Sequence, residues 1–157
     1  MSITTCLHGD GGGRSAGVAV GCRKHTGMDE AFADEELLEE LRGRFTAKRV
    51  GAVCKGGMLL ASAYLHTSLG VKYKTNLDML DAMAAVLSTL KGPWVLAADF
   101  QCTPAQLEAT GWLRMVKGRI VAPNVSTCMG RVIDYFVVAE DLGGATVEAV
   151  VVGDALC

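Results

Sequence analysis

The segment that decides the fold is Trp94-Val95-Leu96-Ala97-Ala98-Asp99-Phe100-Gln101-Cys102-Thr103-Pro104. It opens with a continuous apolar run, Trp94 to Ala98, which is typical of a strand covered on both faces. The run ends at the carboxylate of Asp99. Thr103 followed by Pro104 has the pattern of an N-cap and a first helical position. We therefore predict a buried strand, a polar loop and a short helix that continues through Glu108.

The elements before this strand are predicted from periodicity. Over Thr75–Leu90, leucine and alanine recur at intervals of three and four residues, which predicts a helix with one apolar stripe; Thr75 or Asn76 can cap it, and Gly92-Pro93 stops it. Such a stripe must pack on a sheet. Further upstream, the strand-like runs Lys48–Cys54 and Met58–Leu65 flank a Gly-Gly turn and predict a β-hairpin.

The remaining segments complete a single domain. Residues 1–15 are Gly-rich and polar, so we expect a loop or a disordered end. Residues 29–42 are acidic and predict either a short helix or a charged connection. No repeat or linker interrupts the chain, so one partial domain is expected over residues 1–157. Four more strands are predicted: Ala16–Cys22, Arg114–Val121, Val132–Val138 and Thr146–Val152.

Composition narrows the function classes. The 157 residues are 50% hydrophobic and 20% charged, which is the profile of a globular protein. No apolar run approaches the roughly 18 to 20 residues of a membrane-spanning helix. A formal net charge of -2 argues against nucleic-acid binding by bulk positive charge. Since the N-terminus lacks the features of a secretory signal, we expect an intracellular location, with nucleus and cytoplasm both open.

Two smaller groups of residues stay open to interpretation. The basic residues cluster only at Arg42, Arg44, Lys48 and Arg49, which favours a solvated helix end, with phosphate contact as the alternative. No pair of cysteines has the C-x-x-C spacing of a zinc or redox site, so buried, reduced thiols are expected. The six cysteines are Cys6, Cys22, Cys54, Cys102, Cys128 and Cys157.

Three residues are candidates for chemistry. Asp99 ends a strand at the position where open α/β sheets place ligands, although it could instead cap the following turn. Asp134 interrupts a hydrophobic strand, so it should have either a function or a partner such as Arg131. Tyr64 ends a predicted strand, where tyrosine is most often a half-buried packing residue with a solvated hydroxyl.

The order of these landmarks resembles the endonuclease/exonuclease/phosphatase superfamily, and within it the apurinic-type or retroelement-type endonuclease branch. The resemblance covers roughly residues 15–142. It implies an α/β (α+β) fold: a partial, four-layer, two-sheet β-sandwich flanked by helices. The matching segments are Gly17–Val20, Leu60–Tyr64, Val95–Pro104, Ser126-Thr127 and Arg131–Phe136.

The resemblance also implies roles for four residues. Asp99 would orient or deprotonate the attacking water, and Gln101, at the position of a family asparagine, would hold the phosphate. Tyr64 would lie near the scissile phosphate, and Asp134 would orient a catalytic histidine. Mg²⁺ or Mn²⁺ would be the cofactor. The sequence departs from the family in the longer Gln101 side chain and in His66-Thr67, which replaces a Pro-Asn-like pair.

Two further family elements have no match here, namely an early strand with a metal-binding glutamate and a terminal Ser-Asp-His segment. We therefore expect a fragment or degenerate relative of a divalent-metal-dependent phosphodiesterase or endonuclease that acts on nucleic acid or another phosphoester. We expect its activity to be weak or absent. The alternative is a non-catalytic binding or interaction module that retains the fold. A ribonuclease-H-like nuclease would need more carboxylates. Exposed sheet edges are expected to promote self-association.

Overall fold

The computed structural model describes residues 18–23, 25–31, 41, 43–51, 54–142 and 148–150. They form a mixed α/β fold, in which a six-stranded sheet carries helices on one face. The predicted α/β class with flanking helices is confirmed. The described residues contain one sheet, so the second sheet of the expected sandwich is not among them.

The sheet is built largely from neighbours in the sequence. Its order is β1-β2-β3-β4-β6-β5; β3 and β4 are parallel, and the other pairs are antiparallel. A parallel pair requires a long crossover, which α1 supplies. The elements are β1 (Met28–Glu30), β2 (Phe45–Val50), β3 (Met58–Tyr64), α1 (Lys74–Thr89), β4 (Trp94–Asp99), α2 (Pro104–Glu108), α3 (Trp112–Val116), β5 (Gly118–Val121) and β6 (Asp134–Ala139).

The decisive segment folds largely as its pattern predicts. The strand β4 ends at Asp99, and Thr103 caps α2 through a capping box with Gln106. One prediction about β4 is wrong: alternate residues are fully buried, but Val95 and Ala97 are only half-buried. The reason is that the helices cover one face of the sheet, whereas the described residues leave the other face partly open.

The core lies between that covered face and the helices. The helix predicted over Thr75–Leu90 is confirmed within one residue at each end, and its stripe, including Met83 and Leu87, packs against the sheet. Trp112 of α3 ties the helices together, because its indole Nε1 donates a hydrogen bond to the carbonyl oxygen of Leu80 at 2.6 Å. Helices and sheet thus share one buried cluster.

The predicted hairpin is confirmed, with shifted ends. The strand β2 runs from Phe45 to Val50 rather than from Lys48 to Cys54, and it pairs antiparallel with β3. Gly57 closes the turn with a φ of +78°, and a Cβ atom built there would lie 2.8 Å from the carbonyl oxygen of Val50. A larger residue at this position would therefore force the turn open.

Several weaker predictions are corrected. The strand predicted at Arg114–Val121 is helical in its first part, residues 114–116, which belong to α3; only Gly118–Val121 is a strand. Residues with a left-handed backbone, Gly111 and Lys117, flank α3. Residues 18–22 and 148–150 lie outside any strand, while Met28–Glu30 forms an unpredicted one. Of the described cysteines, Cys102 is buried as expected and Cys54 is exposed. Residues 1–15 and most of 29–42, which carry the other predictions, lie outside the described residues.

The start of α1 contains a buried polar residue that the sequence assigned to the wrong role. The N-cap is Tyr73, without a side-chain cap bond, rather than Thr75 or Asn76. Asn76 is fully buried, and its amide bonds three backbone groups: it accepts from His66 N at 2.8 Å and donates to the carbonyl oxygens of His66 and Gly70 at 3.1 and 2.9 Å. Asn76 therefore anchors the β3–α1 loop to the helix.

We predict that Asn76→Ala destabilises the protein by roughly 2–4 kcal/mol, because it leaves buried backbone groups without their partners. Urea unfolding monitored by circular dichroism would measure the change. Asn124→Ala is the matched control, since Asn124 is exposed; its effect should stay within about 0.5 kcal/mol. Equal effects of the two changes would contradict a structural role for the Asn76 amide.

Candidate functional site

Three of the four predicted site residues form a row across the sheet. Tyr64 is the last residue of β3, Asp99 the last of β4 and Asp134 the first of β6. The strand register pairs Tyr64 with Asp99 and Asp99 with Asp134. Directly paired residues share one face, with Cβ atoms about 5 Å apart in antiparallel pairs. We call Tyr64, Asp99 and Asp134 the acid row.

The acid row borders a cavity of about 910 Å³ on the face of the sheet opposite the helices. This volume is within the usual range of small-molecule sites. Gln101, the fourth predicted residue, lines it as well, and so does Arg131. All four residues singled out in the sequence therefore meet at one cavity.

Gln101 holds Asp99 rather than pointing away from it. The backbone N–H of Gln101 donates to Asp99 Oδ1 at 3.0 Å, and its side-chain Nε2 donates to Asp99 Oδ2 at 2.5 Å. Gln101 adopts a left-handed backbone with a φ of 53°, an uncommon conformation for a residue with a long side chain. Asp99 therefore caps the turn, as the alternative predicted, and it also lies at the cavity.

The two carboxylates lie in different environments. Asp99 is half-buried, and its pKa is raised by loss of solvent and by the charge of Asp134, against the lowering effect of its hydrogen bonds from Gln101. Asp134 is exposed at the start of β6, not buried within a strand as predicted. Nor do the described residues include an ion pair between it and Arg131. Asp134 therefore presents a solvated carboxylate to the cavity.

Tyr64 contributes a phenol that stays neutral. Partial burial and the charges of Asp99 and Asp134 raise its pKa, and only Arg44 opposes them. The guanidinium of Arg44 lies 5.4 Å from the centre of the Tyr64 ring, a cation–π geometry. A neutral phenol at this position can donate a hydrogen bond to an anionic ligand.

Three members of the basic cluster, Arg44, Lys48 and Arg49, are among the described residues. Arg44 immediately precedes β2, and Lys48 and Arg49 lie within this strand. Lys48 is buried and forms an ion pair with Glu30 of β1, so its charge is already compensated. Of this cluster, Arg44 is the member whose contact with Tyr64 brings it next to the acid row.

Thr127 is a positioning residue whose role the sequence did not reveal. Its hydroxyl oxygen accepts hydrogen bonds from the backbone N–H groups of Ile133 and Asp134 at 3.0 and 3.1 Å. These bonds fix the start of β6 and so the location of the Asp134 carboxylate. The Ser126-Thr127 pair was part of the family resemblance. The role of the hydroxyl was not predictable, because no local sequence pattern indicates that it binds backbone N–H groups six and seven residues later in the chain.

The part of the chain that the structure describes offers no preformed metal cage. Within the described residues, no three histidine, cysteine, aspartate or glutamate side chains cluster as such a cage requires.

None of the helices in the described part of the chain has both the length and the apolar character that a bilayer crossing requires.

Comparison with known proteins gives distant structural similarity. No protein-family model matches the chain, and no curated protein is detectably similar in sequence. Similar solved structures include the cytolethal distending toxin from Actinobacillus actinomycetemcomitans (18% identity, TM-score 0.45, covering 60% of this chain and 38% of that one). They also include the Haemophilus ducreyi cytolethal distending toxin (16%, TM-score 0.45, covering 74% and 43%) and CdtB, the biologically active subunit of cytolethal distending toxin (16%, TM-score 0.42, covering 59% and 38%).

The chain thus spans 38% to 43% of the length of these structures. At such low identity they do not assign a role to any residue of the cavity. The apurinic-type or retroelement-type branch stays a prediction.

We predict that Thr127→Val lowers the free energy of unfolding by about 1–3 kcal/mol, because two backbone N–H groups lose their acceptor. Thr127→Ser keeps the hydroxyl and should recover most of the loss. Urea unfolding of both variants measures the difference. Destabilisation by serine as large as that by valine would contradict a dominant role for the hydroxyl, because serine keeps the hydroxyl and loses only the methyl group.

We also predict that Asp99→Asn stabilises the protein at neutral pH. Because the folded-state pKa of Asp99 is raised above 3.8, its contribution to stability is present below that pH and lost as pH rises through the folded-state pKa. At neutral pH the ionised carboxylate therefore opposes folding, and asparagine removes the charge at constant size.

The melting temperature of Asp99→Asn should exceed that of the wild type by a few degrees at neutral pH in metal-free buffer. The difference should vanish at acidic pH, once Asp99 is protonated in the wild type. Asp141→Asn, at an exposed site outside the cavity, is the control. A lower melting temperature for Asp99→Asn at neutral pH would show that the hydrogen bonds from Gln101 outweigh desolvation.

Proposed function

We propose that the cavity binds a phosphodiester of a nucleic acid and that the chain is a fragmentary or degenerate divalent-metal-dependent phosphodiesterase or endonuclease, with weak turnover. The observation that carries the proposal is the acid row, in which two carboxylates and a neutral phenol meet at one edge of a sheet. The ordered sequence motifs that resemble the endonuclease/exonuclease/phosphatase superfamily, which include the same three residues, also support it. An intracellular location is part of the proposal.

Each residue of the site has a role that its environment favours. The raised pKa of Asp99 makes its carboxylate a better proton acceptor for a water molecule, since a base works best when its pKa approaches the working pH. Gln101 keeps this carboxylate oriented through two hydrogen bonds. The hydroxyl of Tyr64 donates a hydrogen bond to a non-bridging phosphate oxygen and keeps its proton. Arg131 lines the cavity and supplies positive charge.

A divalent cation fits this site only together with substrate. Mg²⁺ is commonly held by one or two carboxylates, with phosphate oxygens and water completing its shell. Asp134, solvated and facing the cavity, supplies one carboxylate and meets that minimum, so Asp99 keeps its role as the base. When bound, Mg²⁺ or Mn²⁺ would neutralise the charge that develops on the phosphate. The described residues do not form a cluster of three such ligands, which is consistent with weak turnover.

One observation favours the alternative, a non-catalytic binding module. The side-chain Nε2 of Gln101 already donates one hydrogen bond to Asp99, so the group expected to hold the phosphate has a partner within the protein. In this alternative, Tyr64 and Arg131 bind the ligand, and Asp99 serves only to shape the loop. Self-association through the sheet edges stays a prediction under either proposal.

We predict that any nuclease activity depends on Asp99. With Mg²⁺ or Mn²⁺, Asp99→Asn should cut the cleavage rate of labelled abasic and intact DNA by at least about 100-fold, the range expected for loss of a general base. Denaturing gels measure cleavage. Asp141→Asn removes a carboxylate outside the cavity and should retain the wild-type rate.

The outcomes separate the two proposals. Cleavage that survives Asp99→Asn unchanged would reject the catalytic assignment. Absence of cleavage by the wild type, combined with DNA binding that Tyr64→Phe weakens, would favour the binding module. Absence of both cleavage and binding would reject the two proposals together.

A further inference from the structure

The loop that carries Asp99 and Gln101 alternates between the cavity and the core. Asp99 and Gln101 line the cavity. Phe100 and Cys102, the residues that follow each of them, are 0% and 2% exposed and belong to the buried cluster that the sheet shares with the helices. The two site residues of this loop are therefore held by two anchors on the helix side of the sheet. We call Phe100 and Cys102 the loop anchors.

Both loop anchors contact Tyr135 of β6. The ring of Tyr135 stacks on that of Phe100, with 4.5 Å between the centroids and 17° between the planes. Its hydroxyl oxygen lies 3.6 Å from Sγ of Cys102, a hydrogen bond in which either group can be the donor. Tyr135 is 3% exposed and directly follows Asp134. A single buried side chain thus joins both loop anchors to the strand that begins with Asp134.

The two contacts hold different parts of the loop. Phe100 is held by more than the stack, because its backbone N–H donates to the carbonyl oxygen of Ile133 at 2.9 Å and so extends the pairing of β4 with β6. Gln101, the next residue, has a φ of 53°, a conformation that costs energy and persists where its surroundings impose it. Cys102 is the anchor beyond it. The contact between the Tyr135 hydroxyl and the Cys102 thiol therefore acts on the strained residue.

We infer that Tyr135 is a positioning residue of the site: its hydroxyl acts through Cys102 to hold Gln101 in the conformation that donates two hydrogen bonds to Asp99. The effect on catalysis rests on the proposed function, whereas the effect on the loop does not. Packing alone does not require the hydroxyl, because a phenylalanine ring would fill the same space and a buried hydroxyl costs free energy unless it has a partner. A thiol is a weak partner, so the contact adds little to global stability.

The test compares two backbone amides of the full chain by hydrogen exchange measured with NMR. The N–H of Gln101 is bonded to Asp99, and that of Phe100 to Ile133. In Tyr135→Phe, which keeps the ring, we expect the Gln101 amide to exchange about 3- to 10-fold faster, the range for loss of one net hydrogen bond, and the Phe100 amide to change less than about twofold. A merely structural role would accelerate both amides alike, because both would then exchange through global unfolding.

Two further variants test the contact itself. Cys102→Ala removes the thiol and should accelerate exchange of the Gln101 amide as Tyr135→Phe does, so it decides the matter if the tyrosine variant fails to fold. The two changes combined should have no larger effect than either alone, because they remove the same contact. Tyr73→Phe is the matched control: it removes the hydroxyl of a tyrosine that is 54% exposed and outside the cavity, and it should leave both amides unchanged.

Cleavage kinetics separate positioning from substrate binding. With Mg²⁺ and labelled DNA, Tyr135→Phe should lower kcat about 10- to 100-fold and leave KM within about twofold, because a misplaced base slows the chemical step without removing a contact to substrate. A merely structural role would lower kcat only through loss of folded protein, which circular dichroism measures.

Three outcomes would overturn the inference. One is unchanged exchange of the Gln101 amide in both Tyr135→Phe and Cys102→Ala. The second is equal acceleration of the Gln101 and Phe100 amides, and the third is an unchanged kcat for Tyr135→Phe in a chain that cleaves DNA. Each of these leaves the proposed function standing if Asp99→Asn still abolishes cleavage. Conversely, selective acceleration at Gln101 in a chain that does not cleave DNA supports the positioning role and rejects catalysis alone.

Discussion

The register of three adjacent strands is the constraint on which the rest of the structure depends. Because side chains alternate between faces, a slip of one residue between β4 and β6 would turn Asp134 toward the helices and move Tyr135 out of the core. The packing of Tyr135 opposes such a slip, since its ring stacks on Phe100 at 4.5 Å between centroids and is almost fully buried. The apolar residues on the opposite face therefore set the position of the acid row. Their burial supplies the folding free energy that keeps the three strands in this register.

The acid row itself opposes folding. Lost hydration raises the pKa of Asp99, and the repulsion between two carboxylates directly opposite each other raises it further. Gln101 offsets part of the cost with two hydrogen bonds, yet it adopts a left-handed backbone to do so. Costs of this kind persist where surrounding structure overrides them, and they cluster at functional sites. The site is thus distinguished from ordinary surface by its energetics as well as by its residue types.

The sequence predicted the parts of the fold that local patterns determine. The α1 stripe, the β2–β3 hairpin and the β4–α2 junction each have a sequence periodicity, turn or cap that is compatible with few alternative secondary structures. It failed for α3, because Arg114–Val121 is apolar enough for either a strand or a helix, and only packing of Trp112 against α1 decides between them. At the site, Tyr64 and Asp99 were identifiable because each ends a predicted strand, and Asp134 because it is a lone acid in a hydrophobic run. Thr127 was not, since its importance depends on two backbone N–H groups that only the fold brings to its hydroxyl.

The two faces of the sheet explain why one domain can be both stable and open to a ligand. On the helix side, large residues such as Leu96 and Trp94 are buried and form one cluster with α1 and α3. On the cavity side, small residues such as Ser62 and Ala97 leave room, and Phe136 remains partly exposed. A larger residue at Ala97 would fill part of the cavity and bury more apolar surface, at the expense of the space for a ligand.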